Sequence, residues 1–257
     1  MRKLPRGAGN HRAAQITSAG KKEKTIQYDN VIKAAFLCRP NRFAARVDIA
    51  GQAETVHVKN TGRMRELLIP GAEVYLAASG SPGRKTRYDL IAVRKDSGLL
   101  INIDSQAPNL AAAEWLAAQG FDRIRPECRF GASRIDFFME RGSEKYLMEV
   151  KGCTLERNGI GYFPDAPTAR GVRHLQELAG AAQGGYRAIL AFVIQMDGVS
   201  RVLPNTDTHP EFAIALERAK AAGVRVLCLP CHVETDSLAV LPGVVFPAEP
   251  NDLPPTR

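Results

Sequence analysis

Arg134-Ile-Asp-Phe-Phe-Met-Glu140, followed after a short gap by Tyr146-Leu-Met-Glu-Val-Lys-Gly152, decides how this chain reads. Each half is rich in aromatic and branched residues and predicts a short strand. Between them Arg141-Gly142-Ser143-Glu144 has turn chemistry, with Gly142 free to take positive φ. A hairpin centred between Gly142 and Ser143 sets Phe138 opposite Leu147, a packed pair, and Asp136 opposite Glu149. Directly opposed side chains have Cβ atoms roughly 4.5–5.5 Å apart, where like charges destabilise the pair. Two carboxylates in that position call for a cation between them.

Glu149 and Lys151 are two apart on one strand and so share a face with Asp136. Two carboxylate ligands with water suit a hard cation such as Mg²⁺ or Mn²⁺. The Lys151 ammonium is then placed to hold a water beside the ion or help deprotonate it. This is the D…ExK constellation of metal-dependent nucleases, in which the ion activates water and neutralises charge building on a phosphate. A surface hairpin with solvated charges carries the same letters, and a bulge would break the register.

Moving outward, 45% hydrophobic and 24% charged residues in 257 place the chain among ordinary globular proteins, long enough for one large or two modest domains. The longest apolar run, residues 188–194, is far short of the ~18 residues of a transmembrane helix. The basic N-terminus has no apolar h-region, so no signal peptide is expected. With five cysteines, an odd number, the expectation is reduced thiols in a cytoplasm and no membrane partner. The net charge of +8 is uneven. Residues 1–27 hold seven Lys/Arg against one Glu, residues 28–98 twelve against seven acids, and residues 99–257 sixteen against nineteen. A polyanion would therefore be gripped mainly ahead of the carboxylate-bearing part. A solubilising surface has the same composition.

Residues 1–27 have almost no large apolar side chains and are expected to be a disordered basic tail. Residues 28–98 predict strands over 31–38, 42–50, 54–59, 73–78 and 87–94, with Gly51-Gln52 turning between the second and third and a flexible loop over 79–83. Five short strands in this span fit a small β-barrel of the OB type. Such barrels commonly bind single strands of nucleic acid, DNA or RNA, by combining positive grooves with stacking aromatics. Arg39, Arg42, Phe43 and Arg46 form one cluster. Lys59-Asn60-Thr61-Gly62-Arg63-Met64-Arg65 forms a second, in a turn where Gly62 allows close backbone approach and Asn60 and Thr61 offer hydrogen bonds. A polar loop with solvated arginines fits the same residues.

Residues 99–245 predict an α/β domain with a mixed sheet, in which strands alternate with helices. A helix over 110–119 carries Trp115, expected in the core, and Glu114, an acid expected on a solvated face. A strand over 126–130 brings Glu127 as a possible third acid near the metal. After Lys151 a polar loop is expected to Gly161. Thr168 is a good N-cap for a helix to about Gln183, with Leu175, Leu178, Ala179 and Ala182 as its apolar stripe. Arg170 and His174, four apart, share another face and would clamp a phosphate if near the metal site. A lone helical His is otherwise structural or solvated. A buried strand over 187–195, a short strand over 199–203, a helix over 210–222 and a last strand over 224–229 follow. Residues 246–257 read as a loose C-terminal tail. Cys228-Leu-Pro-Cys231-His232 matches the C-x-x-C-H pattern of haem attachment, but without export or a second ligand pair it reads as strand-end thiols.

Assembled, these residues resemble the sugar fermentation stimulation protein family (SfsA), from about Tyr28 to about Val240. The matching pieces are Asn60-Thr61-Gly62-Arg-Met64, Ser133-Arg-Ile-Asp136-Phe, Glu149-Val-Lys151, and Phe163-Pro-Asp-Ala166-x-Thr168-x-Arg170-Gly171-x-x-His174-Leu. The resemblance implies an OB-like barrel followed by a domain of the PD-(D/E)XK nuclease type, nucleic-acid binding and a metal-dependent nuclease role. It also implies the alternative of a DNA-binding regulator of sugar (maltose) metabolism on a vestigial nuclease fold. By that carry-over Asp136, Glu149 and the Val150 carbonyl would hold the metal and Lys151 would position the water. Asn60, Thr61 and Gly62 would form the binding turn, and Arg170 and His174 would lie near the scissile phosphate. Asp165 would support the loop or the metal. Lys59 stands where the family usually has proline, which loosens the turn and adds charge.

Overall fold

The computed structural model describes residues 26–79, 83–131 and 133–244. Most of the basic N-terminal tail, the C-terminal tail and residues 80–82 of the predicted loop lie outside the described residues. Ile26 and Gln27, expected in the tail, form a two-residue strand, β1 (Ile26–Gln27).

The barrel is built from β2 (Ile32–Asn41), β3 (Ala44–Ile49), β4 (Gln52–Val58), β5 (Glu73–Ala78) and β6 (Tyr88–Arg94). These run in the order β4-β3-β2-β5-β6, and a parallel pairing of β4 with β6, through His57↔Asp89 and Val58↔Leu90, closes the cylinder. Closure removes the exposed edges that an open sheet of this size would carry. Ala45, Val47, Val56, Val58, Val74, Leu76 and Leu90 alternate along their strands and fill the interior. The β3–β4 loop is Ala50-Gly51, both at positive φ, rather than Gly51-Gln52, because Gln52 already pairs with Ile49. A further strand, β7 (Leu100–Asn102), extends the sheet beside β6.

The second part begins with α1 (Ala107–Ala117), then β8 (Arg123–Phe130), β9 (Ser133–Arg141) and β10 (Glu144–Cys153). The stretch expected to be a loop instead forms a hairpin of β11 (Leu155–Arg157) and β12 (Ile160–Phe163), turning at Asn158-Gly159, both at positive φ. Next come α2 (Ala169–Gln183), β13 (Arg187–Ile194), β14 (Val202–Pro204), α3 (Pro210–Ala221), β15 (Arg225–Glu234) and β16 (Ser237–Val240). The predicted last strand is thus longer than expected and is followed by another, paired back on it from Cys231↔Val240 to Glu234↔Ser237.

The main sheet has the order β1-β16-β15-β13-β10-β9-β8 and is mixed: β10, β13 and β15 are parallel, the rest antiparallel. β12 pairs with β11 and β14 in a small separate sheet. β13, Arg187–Ile194, is buried from its second residue on because both faces are covered. α1, with Ala111, Ala112, Trp115 and Leu116, packs one face against Met139, Met148 and Val150. α2 and α3 pack the other through Leu175, Leu178, Phe212 and Leu216 against Leu147, Leu190 and Phe192. The barrel joins this sheet rather than hanging beside it. Ile194, Met196, Val199 and Cys153 belong to the same buried cluster as the barrel interior, and Asn102 N–H donates to the Gln195 carbonyl at 2.9 Å.

Candidate functional site

The β9–β10 hairpin has the expected register, with Leu147 opposite Phe138 and the ladder ending at Met148↔Phe137. Gly142 takes φ +55° in its turn. Asp136 and Glu149 come immediately after that last pair. There the side chain of Asp136 takes over from the backbone: its Oδ2 accepts from Val150 N–H at 2.8 Å, and its Oδ1 accepts from Asn109 Nδ2 of α1 at 2.9 Å. In an extended strand the N–H and C=O of one residue point to the same side, so the Val150 carbonyl also faces the β9 side beyond the ladder.

Glu149 is 2% exposed and lies toward α2. Its Oε1 is held by Lys151 Nζ at 2.5 Å and by His174 Nδ1. Its Oε2 is buried and has no hydrogen-bond partner. Arg170 Nε donates to His174 Nε2 at 3.2 Å. Because arginine only donates, Nε2 accepts and the ring proton sits on Nδ1, aimed at Glu149. Burial pushes the Asp136 carboxyl above the ordinary carboxylate range, and the charge of Glu149 adds to this. Burial acts on Glu149 in the same direction, but the His174 hydrogen bond and the Lys151 charge outweigh it and hold this carboxyl below the usual range. The two carboxyls are thus shifted in opposite directions, Asp136 upward chiefly by burial and Glu149 downward by its pairing.

α2 begins where Thr168 Oγ1 accepts from Gly171 N–H at 3.0 Å. The cap sets Arg170 on the exposed first turn and His174, 4% exposed, one turn further in against Glu149. Asp165, just ahead of the helix, meets the barrel. A Cβ on Gly62 would lie well inside contact distance of Asp165 Oδ2 and 2.9 Å from Asn60 Oδ1, so any side chain here would displace one of those carboxylate or amide ends. Burial raises the Asp165 carboxyl, partly offset by its own backbone N–H, that of Ala166 and the Arg39 charge.

The barrel residues divide. Asn60 Oδ1 accepts from Gly62 N–H at 2.8 Å and shapes the turn, while Thr61, Arg63 and Arg42 are exposed. Arg39 is drawn inward. Its guanidinium donates to the carbonyls of Gly62 (2.6 Å), Arg63 (3.1 Å), Arg42 (2.7 Å) and Asn60 (2.6 Å). Lys59 is also turned in, 16% exposed, with Nζ 3.0 Å from Asp104 and 3.4 Å from Asp89. Neither cation is free for a phosphate. Glu127 is not brought to the two acids: it takes φ +52°, is exposed, and pairs with Arg134 at 3.4 Å. Cys228 and Cys231 lie on β15 an odd number of residues apart and so face opposite ways, and among the described residues no group of three His, Cys, Asp or Glu is placed to hold a metal. Asn109 was missed by sequence reasoning. Its only signal is a polar residue on a helix whose neighbours Ala107, Pro108, Ala111 and Ala112 are all buried.

Two family models match the chain. The SfsA N-terminal OB domain matches residues 37–103, and the sugar fermentation stimulation protein RE domain matches residues 106–237. A sugar fermentation stimulation protein homolog of Desulfitobacterium hafniense strain Y51 is 50% identical over 216 residues, covering 83% of this chain and 94% of that one. This chain belongs to the SfsA family. A further homolog, from Ruminiclostridium cellulolyticum, is 49% identical over 213 residues, covering 81% of this chain and 94% of its own. Among solved structures, that of Pyrococcus furiosus SfsA in complex with Ca²⁺ has a TM-score of 0.76 at 30% identity, covering 84% of this chain and 96% of that chain. No helix among the described residues is long and apolar enough to cross a membrane.

Proposed function

We propose that this SfsA-family protein is a divalent-metal-dependent nuclease that hydrolyses phosphodiesters in DNA or RNA. The observation that carries the reading is the buried, unpartnered Glu149 Oε2 beside Asp136, whose carboxyl is pushed up by burial and by Glu149 itself. A cation satisfies that oxygen and relieves both acids. The donors fit Mg²⁺ or Mn²⁺: Asp136, Glu149 and the Val150 carbonyl, all oxygen, would hold the ion, with waters completing its shell. The Ca²⁺ complex of the P. furiosus relative supports divalent-cation binding here. When bound, the ion supplies Lewis-acid activation and charge neutralisation. Lys151 Nζ, tethered to Glu149, is placed to orient the attacking water. His174 holds the same Glu149 oxygen beside Lys151, and Arg170, on the exposed first turn of α2, would present a guanidinium to the phosphate.

One observation favours the alternative, a DNA-binding regulator of sugar metabolism on a retired nuclease: Lys151 and His174 already compensate Glu149 without a metal. Cleavage of labelled single- and double-stranded DNA and RNA with Mg²⁺, Mn²⁺ or EDTA separates the two. The nuclease reading expects metal-dependent cleavage that Glu149→Ala abolishes while affinity stays within about twofold. Arg63→Ala does the reverse, weakening binding by about 1 kcal/mol with the chemistry intact. Tight binding with no cleavage under either metal makes the protein a regulator.

A further inference from the structure

The β2–β3 tip and the Asn60–Arg63 turn form one surface. Arg39 Nη2 holds the carbonyls of Arg42 and Asn60, and Nη1 those of Gly62 and Arg63, so a single guanidinium bolts the tip to the turn. Asn41 Oδ1 accepts from Phe43 N–H at 2.8 Å, and Val58 N–H donates to the Phe43 carbonyl at 2.9 Å, which fixes the backbone of Phe43. On this rigid mount the Phe43 ring remains 53% exposed. Arg42 lies over the ring at 5.7 Å from its centroid. Among the described residues neither Arg42 nor Arg63 has a carboxylate partner. An aromatic ring held out on a fixed backbone, with an arginine lying over it and a second arginine on the adjoining turn, combines the stacking face and the positive charge that a nucleobase and its phosphate require.

A base can stack on Phe43 only if it is not already stacked and paired within a duplex, whereas phosphate contacts alone do not distinguish the two forms. We infer that Phe43 is a base-stacking platform and that this barrel selects single-stranded nucleic acid, with Arg42 and Arg63 gripping the flanking phosphates and Arg39 as the positioning residue beneath them. The surface leads to the proposed catalytic residues through Gly62, which abuts Asp165 ahead of α2. The inference deepens the nuclease reading by naming its substrate as a single strand, or a duplex with a frayed or unpaired segment, and rests on that reading only for the direction in which the strand is fed.

The test uses the full chain in EDTA, so that binding is read without cleavage. The affinities of a fluorescent deoxythymidine oligomer and of a mixed-sequence duplex of equal length are compared for the wild type, Phe43→Ala and Phe43→Trp. Phe43→Ala is expected to lower the ratio of single-strand to duplex affinity by about tenfold, and Phe43→Trp to keep it. Unchanged thermal melting of both variants shows that folding is not what changed. An equal loss on both nucleic acids, no loss on either, or no single-strand binding by the wild type overturns the inference. Metal-dependent cleavage, assayed separately, reports on the nuclease reading. A stacking-dependent binder that never cleaves keeps Phe43 in this role and removes the nuclease.

Discussion

Asp136 has both oxygens engaged by the protein, one by Val150 N–H and one by Asn109, and is still pushed above the ordinary carboxylate range by burial and by Glu149. An isosteric amide keeps the geometry, because the Asn109 amide can flip to accept what the new amide donates. Asp136→Asn therefore removes like-charge crowding at little steric cost. In EDTA its Tm should rise by about 2–4 °C, which corresponds to roughly 1 kcal/mol in a chain of this size. On the proposed function, Ca²⁺, Mg²⁺ or Mn²⁺ should raise the Tm of the wild type and not that of this variant. Scanning fluorimetry reads both, and a variant that retains the full metal-induced shift removes Asp136 from the site. The carboxylates were legible because strand alternation and hairpin register are local, and Asp136, Glu149 and Lys151 lie within one hairpin. The inward turn of Arg39 and Lys59 was not. Their charge is visible in sequence, but its direction depends on carbonyls and acids as far away as Arg63 and Asp104.

At the scale of elements, the turn after β4 and the loop before α2 touch without room for a methyl group. Gly62→Ala must push Asp165 or Asn60 aside, and overpacking of this kind typically costs about 1–3 kcal/mol. The variant is expected to lose about 2–6 °C in Tm and about tenfold in nucleic-acid affinity, measured by melting and by fluorescence anisotropy. Wild-type affinity in this variant would mean that the turn is a spacer only. The same scale shows what sequence patterns could locate. Helix α2 was found from Thr168 and its apolar stripe, and β5, Glu73–Ala78, to the residue, because both carry their own punctuation. The β11–β12 hairpin was missed because its strands are short, polar and Gly-bearing, and gain their pairing from β14, some forty residues later in sequence. β15 runs past the end expected at Leu229 and through Pro230, which has no N–H to give a ladder. The strand continues there because Pro230 keeps its carbonyl, which accepts from Leu241 N–H at 2.8 Å.

For the whole molecule, the barrel's apolar interior is finished by Cys153, Ile194, Met196 and Val199 of the second part, and Gln195 Nε2 donates to Asn102 Oδ1 (3.1 Å) and to the carbonyls of Asn102 (3.0 Å) and Asp104 (3.1 Å). Cores shared in this way melt together. Calorimetry should show one endotherm, with calorimetric and van't Hoff enthalpies in agreement. Two separated transitions would mean that barrel and sheet fold independently. The surface that Phe43 and Arg63 present and the carboxylates of Asp136 and Glu149 then hold a fixed spacing, as the proposed function requires.

The pairing of β1 with β16 joins Ile26 to Leu238. A ribosome adds residues at about 5–20 per second, so the first strand waits roughly 10–40 s in the growing polypeptide before its mate exists. During that interval β1 is a short, unclaimed ribbon, and the sheet that holds Glu149 lacks its closing edge. The protein is therefore built like a belt whose buckle is made late: β16 is the link that fastens the early edge strand β1 to β15.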